Sequence, residues 1–371
     1  MTDEQTYLAK KDAYQGSLLG GAVGDALGAP IEFYTIAQIR KNFGQSGLSD
    51  FVEFKEGKGR FTDDTQMTLF TAEGLLRARH RAMLRGIEGA LHQITFYSYL
   101  RWLLTQTHSY AAVQSQMTEP TMLYSGWLLS QEELYSCRAP GNTCLQALRN
   151  GKMGSMENPI NESKGCGTIM RMAPVGLMFG DNPILAFNEG CHLSALTHGH
   201  ASGYLSGGFF AALIAFLIKG ESIKSATWKC LEILTQVPNH DEVEDAVLNM
   251  FSVLKEVGSK DLEPEDLQKL GEAWIAEEAL AISLLCAIRY ENDFDKGVIA
   301  AVNHSGDSDS TGAIVGNILG LINGKGSIPE KWQSKLHGAA IVLEIAEDLA
   351  IGVKGNSFEQ DKEWWNKYPG N

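Results

Sequence analysis

The sequence predicts an all-α fold. Three observations carry this: apolar residues recur at helical spacing over long stretches, alternating β-type runs of useful length are scarce, and many of the 39 glycines sit inside apolar runs at three- and four-residue intervals. Apolar residues at i, i+3, i+4 and i+7 line one face of a 3.6-residue helix. Glycine is costly inside a helix, by about 1 kcal/mol against alanine. Its repetition therefore implies helices whose backbones approach closely at the centre of the molecule.

The first element is the run from Gly16 to Gly28, with Gly16, Gly20, Gly21, Gly24 and Gly28 on a helical repeat. Asp25 lies in this apolar run and needs a buried partner; Glu32, just beyond it, reads alone as a surface acid. Gln66–Arg81 and Glu88–Gln106 read as helices. Ala201–Ile218 carries no charge over 18 residues. That touches the lower limit for a membrane span, about 17–25 residues, but with three glycines, two serines and no longer span beside it, a buried core helix is the expected reading. A further helix is expected from about 265 to 290, where Leu267, Leu270, Trp274, Ile275, Ile282, Leu285 and Ile288 form one stripe. The last is Ala313–Leu321, with Gly312, Gly316 and Gly320 as a second glycine ladder.

Between these, Asn42–Asp50, Glu56–Arg60, Ala139–Asn142, Gly151–Gly167 and Pro238–Asp241 read as loops, the longest being the kind that often carries function. No low-complexity linker divides the chain. The expected organisation is a polar, mobile lead over residues 1–12 and one domain over 13–371.

Charge narrows the function. Lys+Arg number 31 and Asp+Glu 45, so the net charge is 31 − 45 = −14. Binding to nucleic acid or to an anionic membrane needs the opposite sign, so neither is expected as a partner. The six cysteines contain no C-x-x-C pair and read as reduced thiols of a cytoplasmic protein. The polar N-terminus has no apolar stretch of signal-peptide type.

Two acidic clusters at helix starts are the chemical signal. One is Thr62-Asp63-Asp64-Thr65, the other His304-Ser305-Gly306-Asp307-Ser308-Asp309-Ser310-Thr311. Taken singly, each reads as an N-cap with an acid at the positive end of the helix dipole. Each, however, crowds two carboxylates into three residues, adds hydroxyl oxygens, and precedes a helix that must be buried. Buried acids need compensation, and all-oxygen ligation suits Mg²⁺, Mn²⁺ or Ca²⁺ rather than zinc. An EF-hand is excluded, because Ile318 stands where the loop needs a bidentate glutamate.

The segments GDALGAPIE (24–32), GRFTDDTQMTL (59–69), GCGTIMRMAPVG (165–176), SALTHGHASGY (194–204), WIAEEALAISL (274–284) and NHSGDSDSTGAIVGNILG (303–320) together resemble the ADP-ribosylglycohydrolase family. This is the group of the dinitrogenase-reductase-activating glycohydrolase. The resemblance covers about residues 14 to 340, with the motifs in family order. It implies a single-domain orthogonal helical bundle with a binuclear metal cleft, holding two Mg²⁺ with Mn²⁺ as the substitute. The implied metal ligands are Thr62, Asp63, Asp64, Asp307, Asp309 and Ser310. Glu32 falls at a family position beside the metals and, with Asp63 and Asp309, is the implied catalytic set. Asp25 looks structural by comparison. Gly165, Cys166, Gly167, Thr168 and Met170 match the loop around the ADP-ribose diphosphate and ribose, where Cys166 replaces the usual Asn or other small polar residue. His198 matches a position near the ligand.

The implied activity is metal-dependent removal of ADP-ribose from modified protein side chains, arginine first among them. The metals are expected to hold the 2″ and 3″ hydroxyls of the distal ribose and to polarise a water. The implied partners are an ADP-ribosylated protein and a cognate ADP-ribosyltransferase. The competing class is a binding protein that retains ADP-ribose affinity, or neutralises a transferase by contact, with or without catalysis. A His-Asp phosphohydrolase at His240-Asp241 lacks its further ligands, and Cys191 with His192 are adjacent on a helix and point different ways.

Overall fold

A computed structural model describes residues 3–53, 57–352 and 364–370. The described residues form helices joined by turns and loops, with an isolated antiparallel bridge between Gly165 and Ile275. The elements that position the site are α1 (Asp3–Gly28), α2 (Ile36–Phe43), α3 (Asp63–Arg85), α4 (Leu91–Thr107), α5 (Pro183–Ala195), α6 (Ala201–Ile218), α7 (Ala276–Arg289), α8 (Ser308–Asn323) and α9 (Ala339–Ile351).

The organising contact is α1 against α8, packed antiparallel along the two glycine ladders. A Cβ on Gly16 would lie 2.1 Å from Gly320 O, on Gly20 2.3 Å from Gly316 O, on Gly24 1.9 Å from Gly312 O, and on Gly28 2.3 Å from Ser308 O. No side chain fits between these backbones. The antiparallel seam sets the end of α1 beside the start of α8, so the residues just after Gly28 face those around Asp309.

Further helices close the core. The pairs α3–α4, α5–α6 and α1–α9 pack on one another, and α7 contacts both α6 and α8. Ala201–Ile218 is a central helix, 78% buried. It is the described helix long and apolar enough to cross a membrane, and its place in the core accounts for its composition.

One helix differs from the sequence expectation, and the polar lead is described from Asp3. From Asp3 onward the polar lead forms the first turns of α1, where Tyr7 and Lys11 bond Glu347 at 3.2 and 2.6 Å. The helix expected over 265–290 is broken. A short turn, Pro264–Gln268, ends at Lys269, and α7 begins only at Ala276. Gly271 (φ +120°) and Ala273 (φ +64°) take left-handed backbone in between, stopping the helix although the apolar period continues. Of the expected loop Glu56–Arg60, Glu56 lies outside the described residues.

Candidate active site

Asp25 is fully buried on α1 and anchors the start of α3. Its carboxylate accepts from the Thr62 and Thr65 amides at 2.8 and 3.0 Å and from Thr65 Oγ1 at 2.5 Å. These are the donors that a helix start leaves orphaned. Asp25 is thereby the partner that holds α3 in place, and Thr62 adds the N-cap, accepting from the Asp64 amide at 3.3 Å.

The second helix start arrives from the far end of the chain. Asp307 caps α8, accepting from the Ser310 amide at 3.3 Å. Its own amide donates to Glu272 O at 2.9 Å. Ser310 Oγ donates to Asp64 Oδ1 at 2.8 Å, joining positions 246 apart. Thr62, Asp63, Asp64, Asp307, Asp309 and Ser310 are each no more than 5% exposed. Glu32, half-buried beyond the end of α1, completes a group with Asp307 and Asp309 whose ligand oxygens lie within 4.8 Å of one another, a cluster able to hold a metal ion.

The carboxylates are held against their preference for charge. Burial, followed by the Asp25 and Asp307 charges, pushes Asp63 up to about 8. Burial with Asp25, Asp63 and Asp307 pushes Asp64 well above the usual carboxylate range. Burial with Glu32, Asp64 and Asp307 does the same for Asp309. Asp25 is raised to about 6 by burial, its hydrogen bonds from Thr65 and Thr62 opposing the shift. Among the described residues no lysine or arginine pairs with Asp63, Asp64, Asp307 or Asp309. Crowded buried acids with hydroxyl oxygens and no protein cation fit a hard divalent ion.

The loop Gly165–Met170 borders this cluster. Gly165 bridges Ile275, the Cys166 amide donates to Trp274 O at 3.2 Å, and the Ala276 amide donates to Lys164 O at 2.8 Å. Cys166 Sγ donates to Asp307 Oδ2 at 2.6 Å, so the thiol touches the acids directly. Burial and Asp307 push it well above the ordinary thiol range. Thr168 and Met170 are buried. The Thr168 hydroxyl turns back to Gly165 O at 3.3 Å and Met170 O accepts from Thr68 Oγ1 at 3.2 Å, which ties the loop to its own turn and to α3. Gly167 is tight, since a Cβ there would lie 3.1 Å from both Cys144 Sγ and His198 Cε1.

His198 is buried and closes the loop from beneath. Burial, aided by the Arg171 charge, lowers its pKa to about 3, so the ring is neutral. Arg171 Nη2 donates to Thr197 Oγ1 at 2.6 Å, which lies 2.8 Å from His198 Nδ1. With its oxygen accepting from arginine, the threonine proton is left for Nδ1, which assigns the ring proton to Nε2. That atom faces the glycines, 3.5 Å from where a Gly165 Cβ would stand. Sequence reasoning missed Arg171 and Thr197. The signal was a lone arginine in the apolar run Thr168–Val175. It also missed the Gly141 amide, which donates to Asp63 Oδ2 at 3.2 Å.

Comparison with known proteins supplies the family. The family profile described as ADP-ribosylglycohydrolase matches residues 6–358. An ADP-ribosylarginine hydrolase, Tri1, of Serratia proteamaculans is 25% identical over 342 residues, covering 91% of this chain and 79% of the relative. The ADP-ribosyl-[dinitrogen reductase] glycohydrolase of Rhodospirillum rubrum is 24% identical over 328 residues, covering 88% and 90%. A solved ADP-ribosylglycohydrolase-related protein complex shares the fold with a TM-score of 0.62 at 23% identity, covering 93% of this chain and 99% of that one. This chain belongs to the ADP-ribosylglycohydrolase family and is a glycohydrolase.

Proposed function

We propose that the protein cleaves the N-glycosidic bond between ADP-ribose and an arginine side chain of a modified protein, in the cytoplasm, with two Mg²⁺ or Mn²⁺ ions. The single observation that carries this reading is the meeting of the Asp63–Asp64 and Asp307–Ser310 segments beside Glu32, next to a glycine loop backed by a neutral histidine. The names of the relatives, one an ADP-ribosylarginine hydrolase, support the linkage. The six free thiols support a reducing compartment.

Asp63, Asp64, Asp307 and Asp309, with the hydroxyls of Thr62 and Ser310, are the residues that would hold the ions. Bound there, divalent cations neutralise the acids and supply Lewis-acid polarisation of ribose oxygens and water.

The chain's own groups then divide the work. Glu32 is the least buried acid of its cluster, so its carboxylate takes the proton of the attacking water. A positioned base contributes on the order of 10²–10⁴-fold. Asp63 and Asp309 orient the ribose from the floor of the site. At Gly165 and Gly167 the absence of side chains permits close approach of the diphosphate to the backbone, and His198 Nε2–H donates to the same end of the ligand. Asp25 keeps α3 fixed while the site acids change charge. The reaction that supplies this substrate is ADP-ribosyl transfer to arginine, so a cognate transferase is the proposed partner.

The test is to incubate the protein with an arginine-ADP-ribosylated protein, with and without Mg²⁺, and follow free ADP-ribose. Release that requires the metal is expected. No release with metal, or undiminished release in excess chelator, would end the proposal.

A further inference from the structure

Phe33 and Trp274 stack face to face at the mouth of the acidic cluster, ring centroids 5.3 Å apart and planes 19° from parallel. Both rings are left open, Phe33 at 72% and Trp274 at 37% exposure. No core requirement accounts for two large apolar rings in water, and such a pair marks a contact surface. Its position is fixed from both sides. Phe33 directly follows Glu32, whose carboxylate groups with Asp307 and Asp309. Trp274 O accepts from the Cys166 amide, and Trp274 Nε1 donates to Glu272 Oε2 at 3.3 Å. Glu272 O in turn holds the Asp307 amide at 2.9 Å.

The backbone is turned to present the tryptophan. Ala273 is buried with φ +64°, a conformation that L side chains rarely adopt, while Trp274 beside it faces out. Glu278 Oε2 locks this turn, accepting from the amides of Glu272 and Ala273 at 3.0 and 3.2 Å.

We propose that Phe33 and Trp274, with Glu272 beside them, are the platform on which the guanidinium of the modified arginine and its cationic neighbours rest. The inference rests on the arginine-hydrolase reading above and names the part of the substrate that this surface takes. With the ribose at the buried acids, the group attached to its anomeric carbon must leave towards solvent, because a folded protein carries it. The rings next to Glu32 are what it meets there. An N-ribosylated guanidinium remains planar and cationic, and such a group stacks on aromatic faces. The exposed Glu272 carboxylate and the net charge of −14 complement it.

Two measurements on Phe33→Ala and Trp274→Ala separate this from other roles. The first is steady-state hydrolysis of an arginine-ADP-ribosylated protein. The second is calorimetric affinity for free ADP-ribose, which has no guanidinium. Loss of one cation–π or stacking contact, about 0.5–1.5 kcal/mol, corresponds to a rise in KM of about 2- to 13-fold. The expected result is that rise with kcat unchanged, ADP-ribose affinity unchanged, and recovery in Trp274→Tyr. A matching loss of ADP-ribose affinity would make the rings a base platform and overturn the proposal. A fall in kcat alone, which marks displacement of Glu32, or no change in either variant, overturns it too. A wild-type protein that releases no ADP-ribose overturns the hydrolase reading and the platform with it. Turnover by the wild type with unaltered variants overturns the platform alone.

Discussion

Ser310 Oγ donates to Asp64 Oδ1 at 2.8 Å, bridging two helix starts 246 positions apart. The bond fixes the spacing of two carboxylate-bearing turns, and the same hydroxyl is an expected ion ligand. Ser310→Ala is therefore expected to weaken Mg²⁺ or Mn²⁺ binding by at least about 10- to 100-fold, the range for losing even an outer-shell partner. Ser310→Thr keeps the oxygen and is expected to stay near wild type. Calorimetric titration of both variants decides it.

Asp63→Ala and Asp309→Ala are each expected to abolish metal-dependent release of ADP-ribose with helical content intact. Both acids are raised chiefly by burial, so their ionised forms cost the metal-free fold. Asp309→Asn is then expected to raise Tm without metal and to lose the gain in Tm that metal gives the wild type. Thermal scans with and without Mg²⁺ would show a lowered metal-free Tm if this is wrong.

Acidity and metal should oppose each other. Asp63 is raised to about 8 and Asp64 and Asp309 well above their ordinary range, so the folded, metal-free state holds protons that the unfolded state has released. Stability from these groups is full below about pH 4 and is lost as pH rises towards 8. His198 acts in the opposite sense. Its folded value of about 3 lies below the unfolded one, so stability falls as pH drops from about 6.5 towards 3. Between pH 6.5 and 8 only the carboxylates remain, and metal-free Tm is expected to fall across that window. Metal affinity is expected to rise over the same window, with protons released on binding. Titrations in buffers of different ionisation enthalpy count those protons.

Thr197→Val removes the link between Arg171 and His198 with little change of shape. The ring then loses the donor that assigns its proton to Nε2. Affinity for ADP-ribose is expected to fall about 2- to 13-fold, the worth of one hydrogen bond at about 0.5–1.5 kcal/mol. Nitrogen chemical shifts of His198 should turn from a single tautomer to a mixture. A single unchanged tautomer would remove Arg171 and Thr197 from the positioning of the ring.

Gly24→Ala would set a methyl 1.9 Å from Gly312 O. Overpacking costs about 1–3 kcal/mol even where side chains can yield, and here the neighbour is backbone. Tm is expected to fall by several degrees, and metal affinity with it, because α1 carries the segment that presents Glu32. Gly326→Ala, with nothing within 4 Å of its Cβ, is expected to leave both near wild type.

The two glycine ladders were legible in the sequence because their three- and four-residue repeats had no other physical use, and they proved to be one seam. Asp25 was legible as an acid needing a buried partner, and it found three donors, the Thr62 and Thr65 amides and the Thr65 hydroxyl. The break before Ala276 was not legible. The apolar stripe runs straight through Gly271 and Ala273, and the turn there is held by hydrogen bonds that periodicity does not show, among them Glu278 accepting from the Glu272 and Ala273 amides. Arg171 and Thr197 were hidden for a related reason: periodicity marks a buried face, but which hydroxyl meets which guanidinium depends on loops crossing from elsewhere. Trp274 stood in the apolar stripe and nothing in the sequence marked Phe33, and only their exposure sets them apart.

The seam between α1 and α8 also orders the birth of the molecule. The ladder at Gly16–Gly28 leaves the ribosome some three hundred residues before Gly312–Gly320, its mate. Until then an apolar, glycine-rich segment has no surface to lie against, and Asp64 has no Ser310. Long-range closure of this kind is slow and leaves unfinished chains prone to clumping. A nascent chain stalled before residue 308 can therefore carry most of the helices and still have only half of a cleft.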